Sequence, residues 1–186
     1  MKTDVILAGV GGQGVLSIAA VIASAAVKSG LKTRQSEIHG MAQRGGAVVS
    51  HLRLSDETIY CDLVPRGRAG LIISMEPLEG LRYIEWLSPT GRLISAAEPI
   101  VNINDYPPLA DVHQAIKLLP NSSLIAAETL ARQAGHTSSA NMVMTGAASR
   151  FLPLKPEVLE SAIAELFAKR APLMNIEAFR AGRSCL

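Results

Sequence analysis

The stretch VILAGVGGQGVLSIAAVIASAAVKSG, residues 5 to 30, constrains this chain more than any other. Val5-Ile6-Leu7-Ala8 is a short apolar run with β-branched residues, the pattern of a parallel strand buried on both faces. Glycines at 9, 11, 12 and 14 follow at once, and Gln13 to Ser29 reads as a helix that Gly30 stops. Strand, turn and helix give the spacing Gly9-x-Gly11-x-x-Gly14 the context in which it carries meaning. Residues without a β-carbon permit the sharp turn and let a ligand approach backbone N–H groups at the positive end of a helix. A nucleotide, a coenzyme A phosphate or another anion suits such a place. The same glycines also allow close packing of strand on helix, and the spacing leaves both readings open.

The 186 residues fit one domain with a core that needs neither disulfide nor metal. A 48% hydrophobic content with 18% charged and 4% aromatic residues describes an aliphatic interior, not a disordered or fibrous chain. The net charge of +2 is too small to indicate nucleic-acid binding, and sparse aromatics argue against base stacking. Cys61 and Cys185 stand far apart with no C-x-x-C, so no disulfide framework and no cysteine-ligated zinc or iron–sulfur site is encoded. Asp4, Gln13 and the glycines interrupt any secretory h-region, and the apolar run Val15 to Val27 is shorter than the roughly 20 residues of a membrane span. We therefore expect a cytoplasmic protein that binds neither membrane nor nucleic acid.

Further strands are expected at Lys32 to Ser36, Ala47 to Leu54, Leu71 to Ser74, Arg92 to Ser95, Ile100 to Ile103 and Ser123 to Ala126. Asp56-Glu57 reads as a turn into Thr58 to Cys61, and Ser88-Pro89-Thr90-Gly91 as a turn before Arg92. Helical spacing marks Glu76 to Leu87, Ala110 to Leu118, Ala127 to Ala134, Ala140 to Phe151, Pro156 to Arg170 and Pro172 to Ala181. The alternation predicts one three-layer α/β/α domain over residues 1–186, with a Rossmann-like, mainly parallel sheet and a helix-rich C-terminal third.

SEIHGMAQRGGAVVSHLRLSD, residues 36 to 56, crowds His39, Gln43 and Arg44 between glycines before a strand. Gly45-Gly46 frees the backbone, Arg44 can pair with a carboxylate or phosphate, and His39 can titrate near neutral pH. Equally, Arg44 can cap a helix and His39 can be an ordinary surface residue, while His51 on its strand reads as packing. No G-x-S-x-G elbow and no i, i+4 histidine pair is present. The chain thus has a binding loop without a self-sufficient catalytic set.

GVGGQGVLSIAAVIASAAVKSG, SEIHGMAQRGGAVVSHLR, SMEPLEGLRYIEWLSPTGRLI and SANMVMTGAA, in this order, resemble the small subunits of indolepyruvate:ferredoxin oxidoreductases, relatives of the gamma domain of 2-oxoacid:ferredoxin oxidoreductases. The resemblance implies a multisubunit enzyme that oxidatively decarboxylates aryl pyruvates with coenzyme A, giving aryl-acetyl-CoA and CO₂ and passing electrons to ferredoxin. It implies that thiamine diphosphate and the iron–sulfur clusters belong to a large alpha subunit, leaving this chain inactive alone. Gly11, Gly12, Gln13 and Gly14 then carry the family's glycine turn, with their N–H groups toward coenzyme A phosphates. His39, Gln43, Arg44, Gly45 and Gly46 form the loop beside the thiamine site, and Asn141 either completes that face or caps its helix. Arg44 and His39 are the candidates for a catalytic role; no metal ligands are expected. Ala69-Gly70 departs from the Ala-Asp usual in such relatives.

Two other readings compete. One is a free-standing NAD-binding dehydrogenase, with Glu37 holding a ribose some 20 residues after the glycines. The other is a scaffold subunit whose glycines and Arg44 only build the interface. An isolated chain can also pair with itself through the apolar patch a partner would cover.

Overall fold

A computed structural model of the chain describes residues 1–40, 45–135, 137–169 and 171–186. Strand β1 (Lys2–Val10) leads through α1 (Val15–Lys28) to β2 (Lys32–His39), and the chain returns as β3 (Ala47–Ser55). After β4 (Ala69–Ser74) come α2 (Pro77–Arg82), a 3-10 turn (Ile84–Trp86) and β5 (Leu87–Ala96). Helix α3 (Leu109–Lys117), β6 (Ser122–Ile125) and α4 (Ala127–Gln133) follow, then α5 (Ala140–Ser149), α6 (Pro156–Leu166) and α7 (Pro172–Ser184). The sheet has six strands in the order β2-β3-β1-β4-β5-β6. Strands β1, β4, β5 and β6 run parallel, and β3 is antiparallel to both β1 and β2. The expected α/β class with a mainly parallel sheet and a helix-rich C-terminal third is what the chain adopts.

Both faces of the sheet are covered, which is why β1 is apolar in consecutive positions. Val5 and Leu7 pack with α1, α5 and α6, and Ile6 with α2 and α3 on the opposite face. Helix α5 is buried from Asn141 to Ser149 because it lies between the sheet and α7. The two helices touch through glycines. A β-carbon on Gly146 would sit 1.9 Å from the Phe179 carbonyl oxygen, and one on Gly182 would sit 1.9 Å from that of Val143. The polar groups that α5 buries are satisfied locally: Thr145 Oγ1 donates to the Asn141 carbonyl at 2.8 Å, and Arg183 Nη1 donates to Ser149 Oγ at 2.8 Å. Among the described residues no helix is long and apolar enough to cross a membrane.

Three expected elements come out differently, and Thr58 to Cys61, the stretch that follows the Asp56-Glu57 turn, forms no strand. Its neighbourhood is tied to Arg53. That guanidinium holds the buried Asp4 carboxylate at 2.7 Å and donates to the carbonyls of Cys61 and Leu63 at 2.9 and 3.0 Å. His51 fixes the same segment, its Nδ1 accepting the Val64 N–H at 3.1 Å. Burial, reinforced by Arg53, pushes the His51 pKa down, which keeps the ring an acceptor. The helix expected from Glu76 to Leu87 stops at Arg82, because Leu87 pairs with Ala69 and begins β5. The expected turn at Ser88 to Gly91 is therefore part of β5, and an irregularity between Ala69 and Leu71 absorbs the register. Ile100 to Ile103 is not a strand either, since parallel pairing of β5 with β6 ends at Ala96 and Ile125.

At the start of α2 two acids are nearly inaccessible. Glu76 Oε2 caps the helix by accepting the Glu79 N–H at 2.8 Å, and its Oε1 accepts from the Tyr106 hydroxyl. Glu79 reaches Arg82 at 3.1 Å with one oxygen, while Oε2 is buried without a hydrogen-bond partner among the described residues. Burial pushes the Glu79 carboxyl up; Arg82 opposes this, and Glu76 adds to it.

Two predictions follow from this packing. Gly146→Ala should lower the unfolding free energy by about 3 kcal/mol in urea titrations, because its β-carbon meets backbone rather than a movable side chain. An unchanged midpoint would mean that α7 is not seated on α5. For Glu79, a folded-state pKa above the unfolded value contributes stability at low pH that is lost as pH rises through the folded pKa. Glu79→Gln should thus melt at or above the wild-type temperature at pH 8 and lose that advantage near pH 4. A variant that loses more stability at pH 8 than at pH 4 would show Glu79 to be stabilised as a carboxylate by Arg82.

Candidate functional site

The carboxyl ends of β1, β4, β5 and β6 lie along one edge of the sheet, where open α/β folds bind ligands. The glycine turn leaves β1 at that edge and divides two clefts. One, about 250 Å³, is bounded by Gly12, Gln13, Met75, Glu98, Ala127 and Asn141 among others. The second, about 340 Å³, lies on the other flank of the turn against Leu16, His39 and Val48.

Each residue of the turn has a distinct job. Gly9 is a packing glycine, since a β-carbon there would come within 2.8 Å of Val15 Cγ2 and 3.0 Å of Met75 Cβ. Gln13 is a staple: its Oε1 accepts the Val10 N–H at 2.7 Å and its Nε2 donates to the Met75 carbonyl at 2.7 Å. It thereby ties the end of β1 to the end of β4. Gly14 starts α1 in the left-handed region at φ 78°, and a β-carbon there would be 2.5 Å from Asn141 Nδ2. Gly12, at φ 105°, faces open space. The Gly11 and Gln13 N–H groups are engaged, by the Gly46 carbonyl at 2.8 Å and the Val10 carbonyl at 3.1 Å. Among the described residues no hydrogen bond engages the N–H of Gly12 or Gly14. Helix α1 has no side-chain cap and no acid in its first turn, so its positive end is not neutralised from within.

The second glycine segment comes to the same place because β3 pairs antiparallel with β1, setting Ala47 opposite Val10. Gly46 accepts from Gly11, Gly45 N–H approaches the Gly11 carbonyl at 3.5 Å, and Gly40 N–H donates to the Ala47 carbonyl at 2.9 Å. His39 ends β2, half exposed beside Glu37 at 3.7 Å. Gln43 and Arg44 lie outside the described residues. Asn141 lines the first cleft but is not a helix cap. The cap position of α5 belongs to Ser139, and Asn141 Oδ1 accepts the N–H of Met142 at 3.0 Å.

Glu37 does not serve a nicotinamide ribose. In a dinucleotide fold the acid ends the strand next to β1, whereas here β3 intervenes and Glu37 is two strands away, about 10 Å at usual strand spacing. This corrects the geometric basis of the dehydrogenase reading.

Two residues of the site had no signal in the sequence. Glu98 caps α4, its two carboxylate oxygens accepting the N–H groups of Ala127 and Glu128 at 3.1 Å each. Asn102 Nδ2 donates to the Gly45 carbonyl at 2.9 Å. Both act across distant stretches of chain, so no local pattern of residue types marks them.

A family model described as pyruvate ferredoxin/flavodoxin oxidoreductase matches residues 4–185. The indolepyruvate oxidoreductase subunit IorB of Pyrococcus horikoshii is 35% identical over 189 residues, covering 96% of this chain and 93% of its own. Among solved structures, a keto/oxoacid ferredoxin oxidoreductase gamma subunit from Geobacter sulfurreducens superposes with a TM-score of 0.68 at 22% identity, covering 98% of this chain and 96% of that one. The 2-oxoglutarate:ferredoxin oxidoreductase of Magnetococcus marinus, solved with 2-oxoglutarate, coenzyme A and succinyl-CoA bound, gives 0.77 at 20% identity over 98% of this chain. This chain spans 30% of the length of that one. By the match over residues 4–185 and the 35% identity to the Pyrococcus horikoshii relative across nearly the whole chain, the chain belongs to the pyruvate ferredoxin/flavodoxin oxidoreductase family.

Proposed function

We propose that this chain is the small subunit of a thiamine diphosphate-dependent indolepyruvate (aryl 2-oxoacid):ferredoxin oxidoreductase, acting as one gamma-type domain and inactive without its large alpha subunit. The partner holds the thiamine diphosphate and the iron–sulfur clusters and passes electrons to ferredoxin. This chain contributes the glycine turn, which takes the phosphates of coenzyme A, and the 39–46 segment, in which Arg44 steadies a carboxylate or phosphate beside the reacting centre. The complex works in the cytoplasm, converting aryl pyruvates to aryl-acetyl-CoA and CO₂. Without its partner the chain pairs with itself through the face the alpha subunit would cover.

The observation that carries this reading is the uncapped, acid-free start of α1, opening at Gly12 and Gly14 between two clefts. An anion there meets backbone N–H donors, the helix dipole and no opposing acid in the first turn. The likeness to relatives named for indolepyruvate supports the aryl substrate, and the coenzyme A in a structural neighbour's complex supports the acyl acceptor.

Co-expressed anaerobically with its alpha subunit, the chain should support indolepyruvate- and coenzyme A-dependent reduction of a ferredoxin substitute, with neither chain active alone. Absence of turnover in a purified, cluster-loaded complex would overturn the assignment. A second comparison isolates the anion site. Gly12→Asn and Gly12→Asp impose the same backbone conformation at φ 105°, but only Asp adds a charge. Asp should raise the KM for coenzyme A about tenfold over Asn, the cost of a carboxylate near a phosphate. Equal constants for the two variants would favour the scaffold reading instead.

A further inference from the structure

The loop between β5 and α3, residues 97–108, crosses the ligand edge without regular structure, yet side chains pin it along its length. At its start Glu98 holds the first amides of α4. Near its end the Tyr106 hydroxyl donates to Glu76, a carboxylate fixed in turn as the cap of α2. Burial, with that hydrogen bond, pushes the Tyr106 phenol pKa up, so the hydroxyl stays a donor across the working pH range. Between these anchors the chain reads Ile100-Val101-Asn102-Ile103, where the apolar side chains are partly or largely exposed and the asparagine alone among them makes a directed bond.

That bond is to the Gly45 carbonyl at 2.9 Å. Gly45 is followed by Gly46, whose carbonyl takes the Gly11 N–H at 2.8 Å. Asn102 and the glycine turn thus grip the Gly45-Gly46 unit from two sides, and the grip includes no other side-chain donor among the described residues. Gly45 at φ 79° has no β-carbon to restrict it, so its orientation depends on what holds its carbonyl.

We propose that Asn102 is a positioning residue that latches the second glycine segment against the first and so sets the geometry of the anion site at Gly12 and Gly14. It does not touch the ligand; it acts through Gly45, Gly46 and Gly11. The ligand part of this inference rests on the coenzyme A reading above, whereas the latch itself does not.

Two measurements separate them. In the isolated full chain, amide exchange at Gly11 followed by NMR should speed up about 3- to 10-fold in Asn102→Ala and Asn102→Asp, the loss expected for one neutral hydrogen bond, and Asn102→Gln should recover part of the protection. In the complex with the alpha subunit, the two disrupted variants should raise the KM for coenzyme A by a similar factor, leaving kcat and the KM for indolepyruvate near wild type. Unchanged exchange at Gly11 would overturn the latch. Faster exchange with an unchanged coenzyme A KM would overturn the positioning role and leave Asn102 merely structural. A wild-type complex that does not turn over at all would count against the enzyme assignment, while exchange at Gly11 would still decide for or against the latch.

Discussion

Antiparallel β3, inserted between β1 and β2, is the constraint on which the ligand edge depends. In an ordinary doubly wound sheet the strand after the first crossover lies next to β1, and its end faces the glycine turn. Here that neighbour runs the other way, so its beginning, not its end, meets the turn, with Ala47 opposite Val10. The backbone bond from Gly11 to Gly46 follows from that register, as does the removal of Glu37 to a strand two places out. The insertion is held from below by Arg53, which reaches from β3 to Asp4 on β1 and to the carbonyls of the following segment. A buried ion pair of this kind is costly to desolvate, and this one joins residues that face each other in the β1–β3 register.

Much of the architecture was legible in residue patterns. Val5 to Ala8, the glycine turn and the helix from Val15 announced themselves by composition and period, because a doubly covered strand and an amphipathic helix impose different periods. The C-terminal helices were legible for the same reason, with proline at the first turn of α6 and of α7 marking their starts. Failures came where one stretch of chain answers to another far away. Leu87 joins β5 because Ala69 is beside it, and the Cys61 carbonyl is held by Arg53, relations that no local window contains.

At the site the same division holds. The glycine positions were plain, but their jobs were not separable from spacing: Gly9 serves packing, Gly14 starts α1 against Asn141, and Gly12 alone of these three faces open space. Gln13 looked like part of a cradle and proved to be a brace between two strand ends, because its amide offers both a donor and an acceptor at the distance between Val10 and Met75. Glu98 and Asn102 were silent because their partners are the backbone, which is chemically the same in every sequence.

Glu98 gives the first cleft a polarity. Its carboxylate stands on the cleft lining, with both oxygens committed to the amides that open α4. Of the helix starts that border the cleft, that of α4 already carries its counter-anion, whereas those of α1 and α5 have no acid in their first turns. An anionic group in the cleft is therefore disfavoured beside Glu98 and left to the starts of α1 and α5. The α4 side of the cleft is thereby closed to anions by a side chain that need never touch the charge it turns away.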